Sequence, residues 1–287
     1  MTASRCRVFS DVRNKFALML SIALFGACIV LTASAADVPV KCPSGIDHST
    51  WDRLLKKYVD RQGLVNYTAW KNNQDDRAAL DGYLKQFAVK AEKEPQGNEK
   101  AASLVNAYNA IVITTILNSY PIESIFETKK PFQAKVWTIG GTQVALDDIE
   151  NGTLRPMLKY RAHSVLVCAA RSCPPLQRNA YKADSFDTQS DNAYRTWLAR
   201  EDLNKFTPQE RKAQISEIFK WFKGDFESSV GITKILEKYG PESARQLVAG
   251  GGQFNISYLS YNWGLNDQGE HGHHYSKVKL LFDAISK

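Results

Sequence analysis

The chain has 287 residues, of which 44% are hydrophobic, and it carries a formal net charge of +7. This hydrophobic content is enough for a packed core, and the basic residues are scattered among Asp and Glu, which argues against a nucleic-acid partner. The sequence lacks phosphate-binding, dinucleotide-binding, GxSxG and HExxH motifs, which excludes the commonest nucleotide-dependent enzymes, hydrolases and metalloproteases. We expect no cofactor and no metal.

Residues 1–35 have the composition of an export signal peptide. Four basic residues precede an almost uncharged apolar run over 16–32, and small residues at 33–35 suit signal peptidase. Cleavage would remove four basic residues and one acidic residue, which leaves a charge of +4 and no stable membrane span. The mature protein is then expected in the periplasm or outside the cell. An uncleaved membrane anchor is the alternative, whereas a lipoprotein at Cys28 fits less well because apolar sequence continues beyond it.

Hydrophobic periodicity predicts three helices in the next part of the chain, over residues 48–59, 75–88 and 99–118. The third is apolar nearly all round, so we expect it in the core. It nevertheless carries Asn106 and Asn109 on one stripe, and each buried carboxamide needs hydrogen-bond partners. Either these side chains brace neighbouring backbone, or they orient or polarise groups at a functional site.

The middle of the chain indicates a small sheet. Two strand-like runs, 135–139 and 142–146, flank two glycines, which is a hairpin signal because both turn positions need positive φ. Asp147 is predicted to cap a helix over 148–158, and a strand is predicted from 163 to 168. Further helices are expected over 190–200, 234–239 and 242–248, with extended segments at 204–206 and 213–219. This order predicts an α+β fold, with helices around a small antiparallel or mixed sheet in a single main domain.

The segment 163–173 holds the most reactive side chains of the chain. It contains His163, Cys168 and Cys173, with Arg171 and Ser172 in the turn between the cysteines. In one interpretation Cys173 is a nucleophile and His163 its base, because a thiol needs a base or a nearby cation to become a thiolate. Arg171 would add positive charge. On a strand, His163 and Cys168 point to opposite faces, so Cys173 is the expected partner of His163.

Other interpretations of the cysteines stay open. An oxidising compartment allows a disulfide between Cys168 and Cys173, which would staple the turn and remove the nucleophile. A metal site with His163 is a further alternative, although Cys-x4-Cys with one histidine is not a zinc spacing. Cys168 would otherwise be a small buried hydrophobic residue. The C-terminal histidines indicate a solvated or weakly metal-attracting loop: His271, His273 and His274.

Three motifs together resemble the domain-of-unknown-function family 547. They are Asn-Ala-Tyr-Asn-Ala at 106–110, Leu-Asp-Asp-Ile-Glu at 146–150 and Cys-Ala-Ala-Arg-Ser-Cys-Pro-Pro at 168–175. Residues 218–226 and 258–263 are similar to that family's C-terminal pattern, so the resemblance spans about 95–265. One position departs from the pattern: the family usually has a histidine after Ile-Glu, where this chain has Asn151.

The resemblance implies a domain organisation and a cluster of residues, but no activity. It implies an N-terminal helical extension over 36–94 packed on the main domain of 95–265, followed by a C-terminal tail or short helix over 266–287. It also groups the helix of Asn106 and Asn109 and the His163–Cys173 segment with an acidic turn. That turn carries Asp147, Asp148 and Glu150.

From these observations we predict an exported envelope protein that acts as a thiol-dependent hydrolase or acyl transferase on an unknown small molecule or peptide. Cys173 would attack, His163 would act as base, and Asn106 or Asn109 would support them. Arg171, Ser172 and the acidic turn are expected to bind substrate. The alternative is a non-catalytic structural or interaction protein with a structural disulfide. A thiol–disulfide redox role is a third alternative, although the cysteine spacing is not Cys-x-x-Cys.

Overall fold

Four helices form the N-terminal part of the computed structural model, which describes residues 39–273 and residue 275. The three helices predicted here are confirmed to within two residues at each end, and a short helix lies between the first two. The bounds are α1 (Ser49–Tyr58), α2 (Tyr67–Asn72), α3 (Gln74–Ala88) and α4 (Gly97–Ser119). The signal-peptide segment 1–35, His274 and the tail 276–287 lie outside the described residues.

Helix α4 is the centre of the core. Its apolar residues occupy every face, and accordingly nearly the whole helix is buried from Lys100 to Leu117. Within the described part of the chain, α4 is the one helix long and apolar enough to cross a membrane, and 89% of its most apolar stretch is buried inside the protein. We therefore interpret α4 as the core helix of this domain.

The predicted hairpin is present. Strands β1 (Trp137–Ile139) and β2 (Thr142–Val144) pair antiparallel, with Thr138 opposite Gln143. The turn glycines Gly140 and Gly141 have φ of 61° and 79°, the left-handed conformation that favours glycine at both turn positions.

An interrupted helical segment follows the hairpin. It consists of α5 (Leu146–Ile149), a π-helical turn (Glu150–Leu154), α6 (Arg155–Leu158), a 3₁₀ turn (Lys159–Arg161) and α7 (Ala162–Val165). The predicted cap at Asp147 is wrong, because Ala145 is the N-cap residue. The carboxylate of Asp148 accepts the backbone N–H of Ala145 at 2.8 Å and so closes this end of the helix.

The predicted strand over 163–168 is also wrong, since His163 lies in α7. The short apolar run 165–167 is consistent with a strand from its sequence alone. These residues are buried, but their backbone meets no neighbouring strand. Asn109 supplies the missing partners, as it donates to the carbonyl of Val165 at 2.9 Å and accepts the N–H of Val167 at 3.0 Å.

The second half of the chain forms a three-stranded sheet flanked by helices. Its elements are α8 (Phe186–Leu198), β3 (Lys205–Thr207), β4 (Lys212–Ser216), α9 (Ile218–Trp221), α10 (Lys223–Glu227), α11 (Ile232–Tyr239), α12 (Glu242–Ala249) and β5 (Asn255–Leu259). Strand β3 pairs antiparallel with β4, and β4 pairs parallel with β5. The sheet is therefore mixed and the fold is α+β, as predicted. Residues 218–219, predicted as extended, are helical, and β5 was not predicted.

Strand β5 returns the chain to the cysteine segment. After β5, Asn262 exchanges hydrogen bonds with Ser172, and Leu265 forms an isolated bridge with Ala170. Further along, Asp267 bridges to Val65 in the N-terminal part. The C-terminal segment thus connects the turn between the cysteines to the N-terminal helices, and the described residues form one compact unit.

Candidate functional site

A cavity of about 230 Å³ lies beside Cys173 and His163, and both residues contribute to its wall. Six aromatic side chains form much of this wall: Tyr108, Phe132, Trp221, Phe222, Tyr261 and Trp263. The polar part of the lining comes from the acidic turn and the cysteine segment: Asp147, Glu150, Asn151, His163, Cys168 and Cys173. The structure thus brings the thiol and the imidazole of the predicted pair to one site.

The sulfur of Cys173 is held by two polar groups. The backbone N–H of Cys168 donates to Sγ at 3.2 Å, and the hydroxyl of Tyr261 lies 3.1 Å from the same atom. The turn that makes this possible contains Ala169 at φ 62°, and the N–H of Cys173 closes it on the carbonyl of Ala170. Cys168 and Cys173 are free cysteines in this structure.

The two thiols differ in acidity. Burial raises the pKa of Cys173, but hydrogen bonds from the Cys168 thiol, the Tyr261 hydroxyl and backbone N–H groups outweigh burial and lower it. The pKa of Cys168 is raised well above the usual value by its hydrogen bond to Cys173 and by burial. Cys173 is therefore the thiol that ionises first.

His163 is buried in α7 and is oriented by a carboxylate. Its Nε2 atom lies 2.8 Å from Oδ2 of Asp225, and Arg155 contacts the same oxygen at 2.8 Å. The imidazole ring stacks on Phe222 with 4.3 Å between ring centroids. Burial lowers the pKa of His163 to about 4, against the raising effect of Asp225. The ring is thus neutral at pH 7, and the carboxylate places its proton on Nε2, which leaves Nδ1 as the basic nitrogen.

The structure gives no hydrogen bond between His163 and Cys173 among the described contacts. The two residues share the wall of the cavity. Catalytic hydrogen bonds are often long without substrate, so this separation is compatible with a thiol–imidazole pair.

The acidic turn contributes two carboxyl groups to the cavity. Glu150 begins the π-helical turn, and its Oε2 accepts the hydroxyl proton of Tyr108 at 2.7 Å. Burial raises the pKa of Glu150, and the Tyr108 hydrogen bond only partly opposes this effect. Asp147 lines the cavity and accepts from Gln133 at 3.1 Å. Asn151 also lines the cavity and accepts from Arg155 at 2.7 Å.

Asp148 does not take part in this site. Its carboxylate caps the backbone at Ala145 and forms an ion pair with Lys135 at 3.3 Å. It therefore has a structural role at the start of α5, in contrast to the predicted binding role.

Asn106 and Asn109 do not support the thiol either. Asn106 donates to the carbonyl of Tyr181 at 2.8 Å and accepts its N–H at 2.9 Å, so both ends of the carboxamide are engaged. Asn109 is engaged in the same way by Val165 and Val167. Of the two interpretations of these residues, bracing of neighbouring backbone is the one that the structure supports.

Arg171 and Ser172 hold the C-terminal segment instead of substrate. The guanidinium of Arg171 donates to the carbonyl of Asp267 at 2.9 Å and contacts His273 at 2.7 Å. The hydroxyl of Ser172 accepts the N–H of Asn262 at 2.8 Å. Neither residue lines the cavity.

Four residues that make the site distinctive were not predicted as site residues: Asp225, Tyr261, Trp221 and Trp263. A signal for them existed, since they lie in the aromatic segments 218–226 and 258–263 that resemble the family's C-terminal pattern. Aromatic residues alone do not distinguish a core from a cavity wall, so the signal was not specific.

The described residues contain no group of three or more His, Cys, Asp or Glu side chains placed to hold a metal ion. In the C-terminal loop, His271 contacts Glu123 at 2.9 Å and His273 contacts Arg171. His274 lies outside the described residues.

The fold and the site define an α+β protein with a free thiol and a carboxylate-oriented imidazole on one aromatic cavity. Residues 93–198 match the model of a family described as protein of unknown function DUF547, which confirms the predicted resemblance. The match includes Cys173, His163 and the acidic turn, and it ends before the aromatic segments. No curated protein and no solved structure gave a significant match to the chain.

Proposed function

We propose that the protein is an exported thiol-dependent hydrolase or acyl transferase that uses Cys173 as its nucleophile. The observation that carries this proposal is the position of the Cys173 sulfur. It receives hydrogen bonds from the N–H of Cys168 and from Tyr261, on a cavity that the Asp225-oriented His163 also lines. A thiol with stabilising donors and a nearby base is the usual arrangement for covalent catalysis by cysteine.

Three side chains have distinct roles in the proposed reaction. Cys173 attacks, and His163 accepts its proton at Nδ1. Asp225 is a positioning residue, because it fixes the ring orientation through Nε2. The carboxamides of Asn106 and Asn109 have no role in this scheme, since backbone groups occupy them.

The reaction balances without a redox partner. The sulfur of Cys173 forms a bond to the carbonyl carbon of an ester or amide while its proton moves to His163. Collapse of the tetrahedral adduct breaks the bond to the leaving alcohol or amine, which takes the proton, and a thioester remains. Water or an acceptor amine then attacks the thioester and restores the thiol, which gives hydrolysis or acyl transfer.

The proposal also includes export of the protein. The basic segment, apolar run and small residues within 1–35 support export to the periplasm or the outside of the cell. The substrate would be a small molecule or peptide of that compartment, since the cavity volume suits a group of that size.

The test is alkylation by iodoacetamide, followed by peptide-resolved mass spectrometry because the chain has five cysteines. Cys42 is the internal control, since burial raises its pKa to about 12. We expect Cys173 to react at least ~100-fold faster than Cys42 at pH 7, because the thiolate is the nucleophile. His163→Gln should slow the reaction of Cys173 by about 100-fold or more, which is the lower end of the range for loss of a general base.

A rate at Cys173 that is unchanged by His163→Gln would contradict the proposal. So would a Cys168–Cys173 disulfide in the exported protein that resists reductant, which would favour the structural alternative. Tyr261→Phe tests the hydrogen bond from Tyr261 to the Cys173 sulfur. It removes one hydroxyl and should move the rate–pH curve of Cys173 to higher pH, because the thiolate loses a donor.

A further inference from the structure

The charge of the cavity differs from the charge of the chain. The chain has more Lys and Arg than Asp and Glu, 37 against 30, yet none of the cavity-lining residues in the described part of the chain is Lys or Arg. Asp147 and Glu150 supply the carboxyl groups of the lining. Arg155 does not line the cavity; its guanidinium lies 4.6 Å from the ring centroid of Phe222 and pairs with Asp225. The cavity is therefore unsuited to an anionic ligand.

The aromatic wall presents stacked rings to this acidic region. Tyr261 lies 4.8 Å from Trp221 and 4.5 Å from Trp263 between ring centroids, and the two tryptophans are nearly parallel at 5.8 Å. Trp221 remains 44% exposed, which is unusual for so large an apolar side chain. Faces of Trp and Tyr carry negative potential and attract ammonium groups, and aromatic cages for ammonium ligands use this attraction.

Burial of Glu150 points the same way. Glu150 is half-buried, and its Oε2 accepts from Tyr108. Burial raises its pKa, and the Tyr108 hydrogen bond and the charge of Arg155 only partly oppose this effect. A cation bound beside Glu150 would favour the ionised carboxylate and compensate for its lost hydration. An anion or a neutral group would offer no such compensation.

We propose that the substrate carries an ammonium group, which binds between the acidic turn and the aromatic wall. The residues that recognise it are Asp147 and Glu150 on one side and Trp221, Tyr261 and Trp263 on the other. This inference rests on the proposed function and narrows its substrate class to an ester or amide that carries a cationic nitrogen. Binding of the cation itself does not require the thiol reaction.

The experiment is titration calorimetry on the full chain with Cys173→Ser, so that no reaction interferes with binding. The two probes are choline and 3,3-dimethyl-1-butanol, which have nearly the same shape but differ in charge. We expect choline to bind at least about tenfold more tightly, the range expected for a desolvated cation on aromatic faces. Equal binding of the two probes, or tighter binding of the alcohol, would overturn the inference.

Two further variants assign the binding to this cavity. Glu150→Gln keeps the acceptor for Tyr108, and Asp147→Asn keeps the shape, so both should fold. Each should weaken choline binding about fivefold or more and leave the alcohol unchanged, because each removes one negative charge. Glu201→Gln, at an exposed position, is the charge-matched control. Choline binding that survives both cavity variants would contradict the inference.

The outcomes separate the two proposals. Choline selectivity together with a Cys173 alkylation rate independent of His163 would retain the ammonium site and remove the thiol reaction. Loss of selectivity together with a His163-dependent rate would retain the reaction and remove the substrate class.

Discussion

At the scale of single residues, the site is defined by how each polar atom is occupied. Cys173 and Cys168 are five positions apart and both approach the hydroxyl of Tyr261, at 3.1 and 3.4 Å. Cys173 also receives the backbone N–H of Cys168. Burial raises the pKa of Cys173, but hydrogen bonds from the Cys168 thiol, the Tyr261 hydroxyl and backbone N–H groups lower it. The same thiol–thiol hydrogen bond, together with burial, raises the pKa of Cys168. This hydrogen bond therefore distinguishes the nucleophile from its neighbour.

Burial of His163 predicts how the free energy of unfolding depends on pH. Its pKa is about 4 in the folded protein and near 6.5 when unfolded, so the unfolded chain binds more protons between these values. Stability should therefore fall as the pH drops from about 6.5 to about 4 and be independent of His163 above that window. The shift corresponds to at most about 3 kcal/mol for this buried ring.

Urea unfolding at pH 7 and pH 4.5 measures this effect, with His163→Gln as the non-titrating variant. The loss of stability on acidification should be smaller in the variant than in the parent protein. The pKa of His48 is also lowered by burial, but His48 is present in both proteins and cancels in the comparison. An equal loss in both proteins would show that His163 is not held neutral by its surroundings.

At the scale of elements, helix α4 supports the site through its asparagines, whose side chains bind neighbouring backbone and do not line the cavity. Asn109 provides both hydrogen bonds for the segment between α7 and Cys168, in the place that a neighbouring strand would occupy in a sheet. This segment sets the separation of His163 from the cysteine turn. The Asn109 side chain therefore holds the backbone that joins His163 to the cysteine turn.

Asn109→Ala should lower the free energy of unfolding by about 2–4 kcal/mol, because it leaves a buried carbonyl and a buried N–H without partners. It should also change the alkylation rate of Cys173. Asn72→Ala is the control, since Asn72 is exposed at the end of α2 and is expected to change stability by less than about 0.5 kcal/mol. Denaturant unfolding of the three proteins decides the matter. Similar stabilities for the Asn109 and Asn72 variants would refute the bracing role.

At the scale of the whole molecule, the N-terminal helices and the site are tied together by close packing. The turn after α1 contains Gly63 at φ 80°, where an added Cβ would lie 2.6 Å from backbone atoms of Pro175 and Leu176. These residues directly follow Cys173 and Pro174. The described N-terminal segment therefore supports the nucleophile-bearing loop.

Gly63→Ala should destabilise the protein more than Gly45→Ala by about 2 kcal/mol or more, a value typical of overpacking against backbone. Gly45 is the matched control because its φ is 72° and no atom lies within 4 Å of the added Cβ. Both substitutions place alanine at a positive φ and change the unfolded chain in the same way, so the difference in stability between them measures the clash at Gly63. Equal thermal unfolding midpoints for the two variants would contradict this close contact.

Local patterns predicted the elements that depend on neighbours in sequence. Hydrophobic period, composition and turn residues indicated α1, α3, α4 and the hairpin, and the reactive segment was recognised from its residue types. The helix predicted over 148–158 is present as α5, the π-helical turn and α6. The strand predicted over 163–168 was wrong, because its backbone binds the side chain of Asn109, which lies far away in sequence. Strand β5 was missed for a similar reason, since its partner β4 lies some 40 residues earlier.

By itself the sequence determined the α+β class, the buried central helix and the importance of the 163–173 segment, because these follow from periodicity and side-chain chemistry along a short stretch. Only the tertiary structure decided the partners: Asp225 lies 62 positions from His163, and Tyr261 lies 88 positions from Cys173. The tertiary structure also shows that Asn106 and Asn109 bind backbone groups and that Arg171 binds the C-terminal segment. The physical reason is that a polar atom bonds to whichever group packing brings within about 3 Å, and no local pattern encodes that distance.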